Sequence, residues 1–315
     1  MIGNRIDIAA AYLRGGDVVA LPTETVYGLG CNALMPNAVV KVYTVKQRPS
    51  FDPLILHVDE LEKIRQYAHI NDELLYQIAK QYMPGPLTLL LPKKSVVPDM
   101  VTAGSDQVAI RIPAHPITQK LLSRLDFPLA APSANPFGYI SPTTARHVDD
   151  QLGALIPYIL DGGPCNIGVE STILGKENDN YIVYRKGGLA IEEIHRHIPN
   201  LQVFENSSSN PKAPGMLKSH YAPKAKFRLS HSHDLSQYEN LDEVAFLGFD
   251  KFIDGLPQNQ QILLSKDGNI NKAAQNLFAA LRKLDQNKYQ IILAIPVPDS
   301  GLGKAINDRL RRASA

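Results

Sequence analysis

The apolar run Val18-Val19-Ala20-Leu21 and the stretch behind it, Pro22-Thr23-Glu24-Thr25-Val26-Tyr27-Gly28-Leu29-Gly30, constrain the fold more than any other part of the chain. A short apolar run of this kind reads as a buried strand, and the proline and paired glycines after it as a strand that ends in a tight, open loop. Small polar side chains are thereby delivered to a sheet edge. If extended backbone continues through Thr25, the Thr23 and Thr25 hydroxyls share one face and the Glu24 carboxylate takes the other, which is the geometry of a pocket wall. The alternative is an ordinary strand end whose hydroxyls tie up loop backbone. Gly28-Leu29-Gly30-Cys31-Asn32-Ala33 also fits the loose dinucleotide pattern, but the helix that should start at once is delayed to Pro36 or Asn37, so that reading is set aside.

The same punctuation recurs. Pro53–Val58, Leu87–Leu91, Val108–Ile112, Phe127–Ala131, Ile156–Leu160 and Ile182–Arg185 are apolar runs with Gly or Pro around them, several ending in loops that carry hydroxyl or cationic residues. Helical spacing is read over Ile6–Leu13, closed by Gly15-Gly16, over Asn37–Lys46 and over Ile70–Tyr82. Strands alternating with helices give an α/β domain with one polar, partly basic cleft. Residues 206 to 214, Asn-Ser-Ser-Ser-Asn-Pro-Lys-Ala-Pro, have linker composition. Beyond Lys224, strands over Val244–Gly248, Gln261–Leu264 and Ile291–Ile295 flank a helix over Asn271–Leu284 whose Leu277, Phe278, Leu281 and Leu284 form one stripe. The expected division is a domain over 1–205, a linker over 206–223 and a small parallel α/β domain over 224–315.

A chain of 315 residues has room for both units. Its formal net charge of +2 gives no general reason to expect tight nucleic-acid binding. Two cysteines, Cys31 and Cys165, make neither a disulfide framework nor a zinc motif and suit a reducing compartment. The N-terminus lacks a signal pattern and no run approaches the length of a membrane span, so the cytoplasm is the expected location.

Lys46, Arg48 and Arg185 stand in loops or at strand ends, where a cation can face a ligand. Arg111 interrupts an apolar strand, and a buried guanidinium needs an anionic partner, either a protein carboxylate or a substrate. Ser133, in Ala-Pro-Ser-Ala-Asn, lacks the Gly-x-Ser-x-Gly elbow and reads as a hydrogen-bonding serine rather than a nucleophile. His57 ends an apolar run with no metal-ligand spacing around it. There is no Walker loop, since Gly301-Leu302-Gly303-Lys304 lacks both the spacing and the final hydroxyl.

In order and spacing, Pro22–Leu29, Lys46–Pro49, Pro53–His57, Pro84-Gly85-Pro86, Val108–Pro113 and Ala131–Asn135 resemble the YrdC-like threonylcarbamoyl-AMP synthases. Ala213–Met216, His220–Pro223 and Gly301–Leu310 resemble the linker and C-terminal signature of the long, two-domain form of that family. The resemblance implies a twisted open sheet with a large concave cleft plus a small C-terminal Rossmann-like domain. It also implies the reaction: L-threonine, bicarbonate or CO2 and ATP give threonylcarbamoyl-adenylate and pyrophosphate. The product then passes to a transferase that modifies tRNA. Thr25, His57 and Arg111 match the family's threonine site, and Lys46, Arg48, Ser133, Asn135, Ser141 and Arg185 its ATP site, with Lys46, Arg48, Ser133 and Asn135 taken as catalytic. Magnesium is expected with the ATP phosphates rather than from protein ligands alone. Asp52, Gln107 and Ala131 depart from the commoner pattern, and Asp52 and Gln107 are kept as ATP-site candidates. His220 and Tyr221 are expected to close over the cleft and keep water from the adenylate. The rival readings are an RNA-binding module and a related enzyme that uses carbamoyl phosphate.

Overall fold

The computed structural model describes residues 1–204, 220–286 and 289–315. The strands of the first unit are β1 (Ile2–Gly3), β2 (Val19–Leu21), β3 (Gly28–Asn32), β4 (Ile55–His57), β5 (Leu87–Pro92), β6 (Gln107–Arg111), β7 (Leu129–Ala130), β8 (Tyr158–Leu160), β9 (Thr172–Glu177), β10 (Asn180–Arg185) and β11 (Gln202–Val203). They form one mixed sheet in the order β1-β8-β2-β3-β7-β4-β6-β5-β9-β10-β11. Its helices are α1 (Ile6–Arg14), α2 (Pro36–Lys46), α3 (Leu61–Tyr67), α4 (Glu73–Tyr82), α5 (Asp99–Thr102), α6 (Pro116–Leu122), α7 (Ala145–Leu152) and α8 (Ile191–His195).

The second unit holds β12 (Lys226–Leu229), β13 (Val244–Gly248), β14 (Gln261–Leu263), α9 (Ile270–Gln286), β15 (Ile291–Ala294) and α10 (Gly303–Ala313). Its sheet, ordered β12-β15-β13-β14, is parallel at every pairing, as the strand-helix-strand pattern implies. All four stripe residues of α9 are buried. The first sheet runs through Val203 and the second begins at Lys226; of the linker expected over 206–223, residues 206–219 lie outside the described residues.

Several local expectations shift. The helix read from Ile70 starts at Glu73, because the Asp72 side chain caps it by accepting the Leu75 N–H at 2.9 Å. The preceding helix α3 and the two-residue strand β1 carried too little periodicity to be read. At the end of α1 it is Gly16, with φ +74°, that takes the left-handed conformation, while Gly15 stays at φ −74°. No described helix is long and apolar enough to cross a membrane.

Register explains where the cleft falls. His57 is paired with Arg111 across β4 and β6, Arg111 with Thr88 across β6 and β5, Thr88 with Ile173 across β5 and β9, and Ile173 with Arg185 across β9 and β10. Directly opposed residues present side chains to one face. One transverse row thus carries an imidazole and two guanidinium groups over four strand spacings, about 19 Å. Beside it, β2 ends at Leu21, β3 begins at Gly28, and an isolated bridge joins Gly28 to Ser133 after β7. The polar loops therefore leave the sheet at a common end.

The two units share a core. Val26, Ile140 and Val169 of the first belong to the same buried cluster as Phe227, Leu277, Phe278 and Leu281 of the second. Gly168 makes the closest approach: its φ is +81°, and a Cβ there would lie 2.5 Å from the Ala274 carbonyl oxygen and the Gln275 Cα. Backbone on both sides leaves no room to yield. We expect Gly168→Ala to cost about 1–3 kcal/mol, read as a lowered midpoint of thermal unfolding; an unchanged midpoint would mean that the two units are not held at this contact.

Candidate active site

The cleft encloses about 520 Å³ of empty space with its open mouth included. Thr23, Thr25, Arg48, His57, Arg111, Ser133, Arg185, His220 and Tyr221, all named from the sequence, line it, together with Glu170 and Ser171, which were not.

At its floor lies Arg111. Its Nη2 donates to Glu24 Oε1 at 2.5 Å, its Nη1 to Thr25 Oγ1 at 2.9 Å and its Nε to the Gly85 carbonyl at 3.1 Å. The anionic partner left open by the sequence is thus a protein carboxylate. The Thr23 and Thr25 hydroxyls share one face as expected, 2.8 Å apart and both on the cavity wall, but the Glu24 carboxylate does not take the opposite side. Thr23 Oγ1 accepts the N–H groups of Thr25 and Val26, each at 3.2 Å, and this turn brings Glu24 and Thr25 to the same guanidinium. Glu24 Oε2 also accepts the Ala114 N–H at 3.0 Å. Beside Arg111, the His57 ring has Nδ1 3.1 Å from the Ile55 carbonyl. Burial first, and the Arg111 charge second, push the imidazole down to about 3 against the pull of the Ile55 and Leu129 backbone, so it is neutral.

On another wall, Gln47 takes a left-handed conformation, φ 52°, at the end of α2 and turns Arg48 inward. Arg48 donates through Nε to the Asp52 carbonyl at 3.0 Å and through Nη2 to the Pro53 carbonyl at 2.8 Å, and Nη2 lies 2.8 Å from Asp52 Oδ2. Neither carboxylate oxygen of Asp52 has a well-aligned donor among the described residues, and burial raises its pKa against the pull of Arg48, Lys46 and Arg185. Asp52 therefore lies behind Arg48, fully buried, and not on the cavity wall.

Lys46 is 1% exposed and lies beneath the Pro132–Asn135 loop, donating to the Ser133 carbonyl at 2.6 Å and to the Asn135 carbonyl. Asn135 Nδ2 in turn donates to the carbonyls of Pro136 and Tyr139, both at 2.8 Å. These two side chains shape the loop that presents Ser133; neither lines the cavity. Gln107 stands apart. It is at the other end of β6 from Arg111, about 13 Å along the strand, paired with Pro92 and away from the cavity.

The Arg185 side of the row is tied to Ser171. Arg185 Nε donates to the Ser171 carbonyl at 3.0 Å and Nη2 to its hydroxyl at 3.1 Å, while Ser171 Oγ also meets Thr88 Oγ1 at 2.7 Å. Burial lowers the guanidinium only to about 10. Next to it, Glu170 accepts the Ser141 hydroxyl on Oε1 at 2.6 Å and Arg309 Nε on Oε2 at 2.8 Å. Burial would push this carboxyl up, but Arg309, Arg185 and the Ser141 hydrogen bond hold it below the ordinary range. Glu170 and Ser171 are in no sequence motif assigned to the site, and Arg309 sits in the C-terminal signature with no role attached to it.

His220 and Tyr221 cover the cavity. Tyr221 stacks on Phe278 at 5.5 Å and lies 5.1 Å from the Arg309 guanidinium, and His220 packs edge-on to Tyr221 at 4.1 Å and to Phe137 at 6.0 Å. Burial, followed by Arg48, Lys46, Arg309 and Arg185, keeps the His220 imidazole neutral, and its Nδ1 has no protein partner among the described residues. Three arginines and one carboxylate line the site. The surplus is positive and faces a closed volume, which suits a polyanion.

Family models match along nearly the whole chain: one described as "Telomere recombination" over residues 11–187, the other as "Threonylcarbamoyl-AMP synthase, C-terminal domain" over residues 189–315. The threonylcarbamoyl-AMP synthase of Pyrococcus abyssi is 41% identical over 98% of this chain and 94% of its own length. That of Bacillus subtilis is 38% identical over 97% and 92%. The chain belongs to the threonylcarbamoyl-AMP synthase family.

A crystal structure of P. abyssi Sua5 complexed with L-threonine superposes with a TM-score of 0.93 at 39% identity, covering 100% of this chain and 97% of that one. A shorter relative from Methanocaldococcus jannaschii, a putative threonylcarbamoyl-AMP synthase, is 39% identical over 58% of this chain and 86% of its own length. Escherichia coli YciO, at 24% identity and a TM-score of 0.52, shares the fold over 59% of this chain.

The buried His57 has a consequence for stability. Its folded pKa lies below the unfolded value of 6.5, so between about pH 6.5 and 3 the unfolded chain takes up a proton that the folded chain refuses. Stability is full above pH 6.5 and is lost as pH falls through that window. We expect His57→Gln to flatten the dependence between pH 6.5 and 4; a resonance assigned to the His57 ring that titrates near 6.5 in the folded wild type would contradict the neutral assignment.

Proposed function

We propose that this cavity joins L-threonine, CO2 or bicarbonate and ATP into threonylcarbamoyl-adenylate with release of pyrophosphate. The observation that carries the reading is the transverse row His57–Arg111–Arg185 beneath a neutral His-Tyr cover, with Arg48 on the adjoining wall. A small amino acid fits the His57–Arg111 end. Arg111 can accept its carboxylate, the Thr25 hydroxyl and the neutral His57 ring are placed for its amine or hydroxyl, and Glu24 keeps the guanidinium in place.

The triphosphate fits the Arg48–Arg185 end, next to the Ser133 loop. The amine nitrogen of threonine attacks the carbon of CO2 and loses a proton, giving a carbamate. A carbamate oxygen then attacks the α-phosphorus, and the bond from that phosphorus to the bridging oxygen breaks. Pyrophosphate departs with the electron pair. Negative charge grows on the leaving phosphates, so fixed guanidinium groups stabilise the transition state more than the ground state. No described group of three or more His, Cys, Asp or Glu side chains is arranged for a metal. We assign magnesium to the nucleotide phosphates, where it would offset charge as part of the substrate. Transfer of the product to a tRNA-modifying enzyme extends the same reading.

The test is pyrophosphate release with magnesium and bicarbonate, with and without L-threonine, followed by mass analysis of the nucleotide. Threonine-dependent release with a threonylcarbamoyl-adenylate mass is expected. A carbamoyl-adenylate mass, or RNA binding without turnover, would overturn the reading. Arg48→Ala combined with Asp52→Asn, which spares the fold a buried unpaired carboxylate, should lower turnover about a hundredfold or more. A folded double variant at near-normal rate would remove Arg48 from the reaction.

A further inference from the structure

The C-terminal unit does more than cover the cleft. Arg309, on α10, is fully buried and carries its guanidinium into the catalytic unit, where Nε meets Glu170 Oε2 at 2.8 Å and Nη2 donates to the Lys186 carbonyl at 2.9 Å. Glu170 is on the cavity wall, and its other oxygen fixes Ser141. From α9, Arg282 donates to the carbonyls of Ser141, at 3.2 Å, and Ile140. Both loops that carry the Ser141–Glu170 pair are therefore gripped from the second unit.

Charge gives this grip a consequence for the ligand. Glu170 stands beside Ser171 and its partner Arg185, at the end of the cavity that receives the triphosphate. A carboxylate there repels phosphate unless a cation offsets it and both oxygens are engaged. Ser141 engages one oxygen, and Arg309 supplies the cation and engages the other.

We propose that Arg309 is a positioning residue of the active site: reaching in from the C-terminal domain, it neutralises and orients Glu170, so that the nucleotide half of the cavity is assembled only when that domain is docked. This rests on the assignment of the Arg48–Arg185 end to ATP. Arg309 itself touches no reacting atom; its own charge is fixed by Glu170, by Asp308 at 2.7 Å and by the Tyr221 ring.

The test uses the full chain as wild type, Arg309→Met, and Arg309→Met with Glu170→Gln. Pyrophosphate release is measured against ATP and against threonine separately, with ATP affinity read independently by calorimetry. Arg309→Met should raise the KM for ATP and weaken ATP binding at least tenfold, with the threonine KM changed by less than threefold. Removing the orphaned charge with Glu170→Gln should recover most of that loss. Equal loss toward both substrates, or no rescue by Glu170→Gln, would reduce Arg309 to a structural strut and overturn the proposal. If Arg309→Met does not fold, Arg309→Gln removes the charge while keeping a donor for Glu170; an ATP KM equal to wild type in that folded variant would equally overturn it. A wild type that neither binds ATP nor releases pyrophosphate would instead overturn the ATP assignment.

Discussion

A guanidinium inside a sheet must be paired, and the pairing of Arg111 with Glu24 organises the catalytic unit. Arg111 is 4% exposed on a strand whose neighbours are apolar, so an unpaired charge there would be prohibitive. Its register fixes the level of His57 on one side and Thr88 on the other, and Glu24 can reach it only because the Thr23 turn folds the chain after β2 back over the row. That turn also places Ile167 and Gly168, which donate their N–H groups to the carbonyls of Glu24 and Thr25 at 2.8 and 3.1 Å. One buried ion pair thus specifies the position of the loop on which the second domain rests.

From that loop the constraint passes outward through packing. Gly168 meets the backbone of α9, Gln275 Nε2 donates to the Cys165 carbonyl at 3.4 Å, and Tyr221 lies between Phe278 and Arg309. The apolar cluster that stabilises the C-terminal domain is the one that closes the cavity. The surface on which the second domain docks and the cover of the cavity are therefore built from one set of side chains.

What could be read from the sequence follows from how local the signals are. Apolar runs of three to six residues bounded by Gly and Pro located the central strands, since a buried strand needs only its own composition. The family resemblance assigned Thr25, His57 and Arg111 to a threonine site and Ser133 and Arg185 to an ATP site, and all five line one cavity. The partners escaped. Glu24 was assigned to the opposite face because period-two alternation was carried across a turn whose hydrogen bonds involve Thr23. Glu170 and Arg309 are 139 residues apart, on different domains, and no periodicity links them. Lys46 and Asn135 had the right neighbourhood, but whether such a side chain faces the ligand or supports the loop depends on which carbonyls lie within reach.

Both imidazoles on the cavity wall are neutral, for a shared reason: each is buried next to guanidinium groups that a second positive charge would oppose. The permanent charge of the site is therefore supplied by arginine, which does not titrate in the working range, and by carboxylates locked into pairs. A site of this composition has no general base poised near neutrality. The amine of a free amino acid must lose its proton before it can attack CO2, and its neighbouring carboxylate holds it above the value near 8 of a chain N-terminus, so only a minor fraction is unprotonated at neutrality. The pH dependence of carbamate formation should then follow the substrate rather than the protein, and the protein's contribution is to hold the carbamate oxygen against the α-phosphorus in a closed, cationic volume.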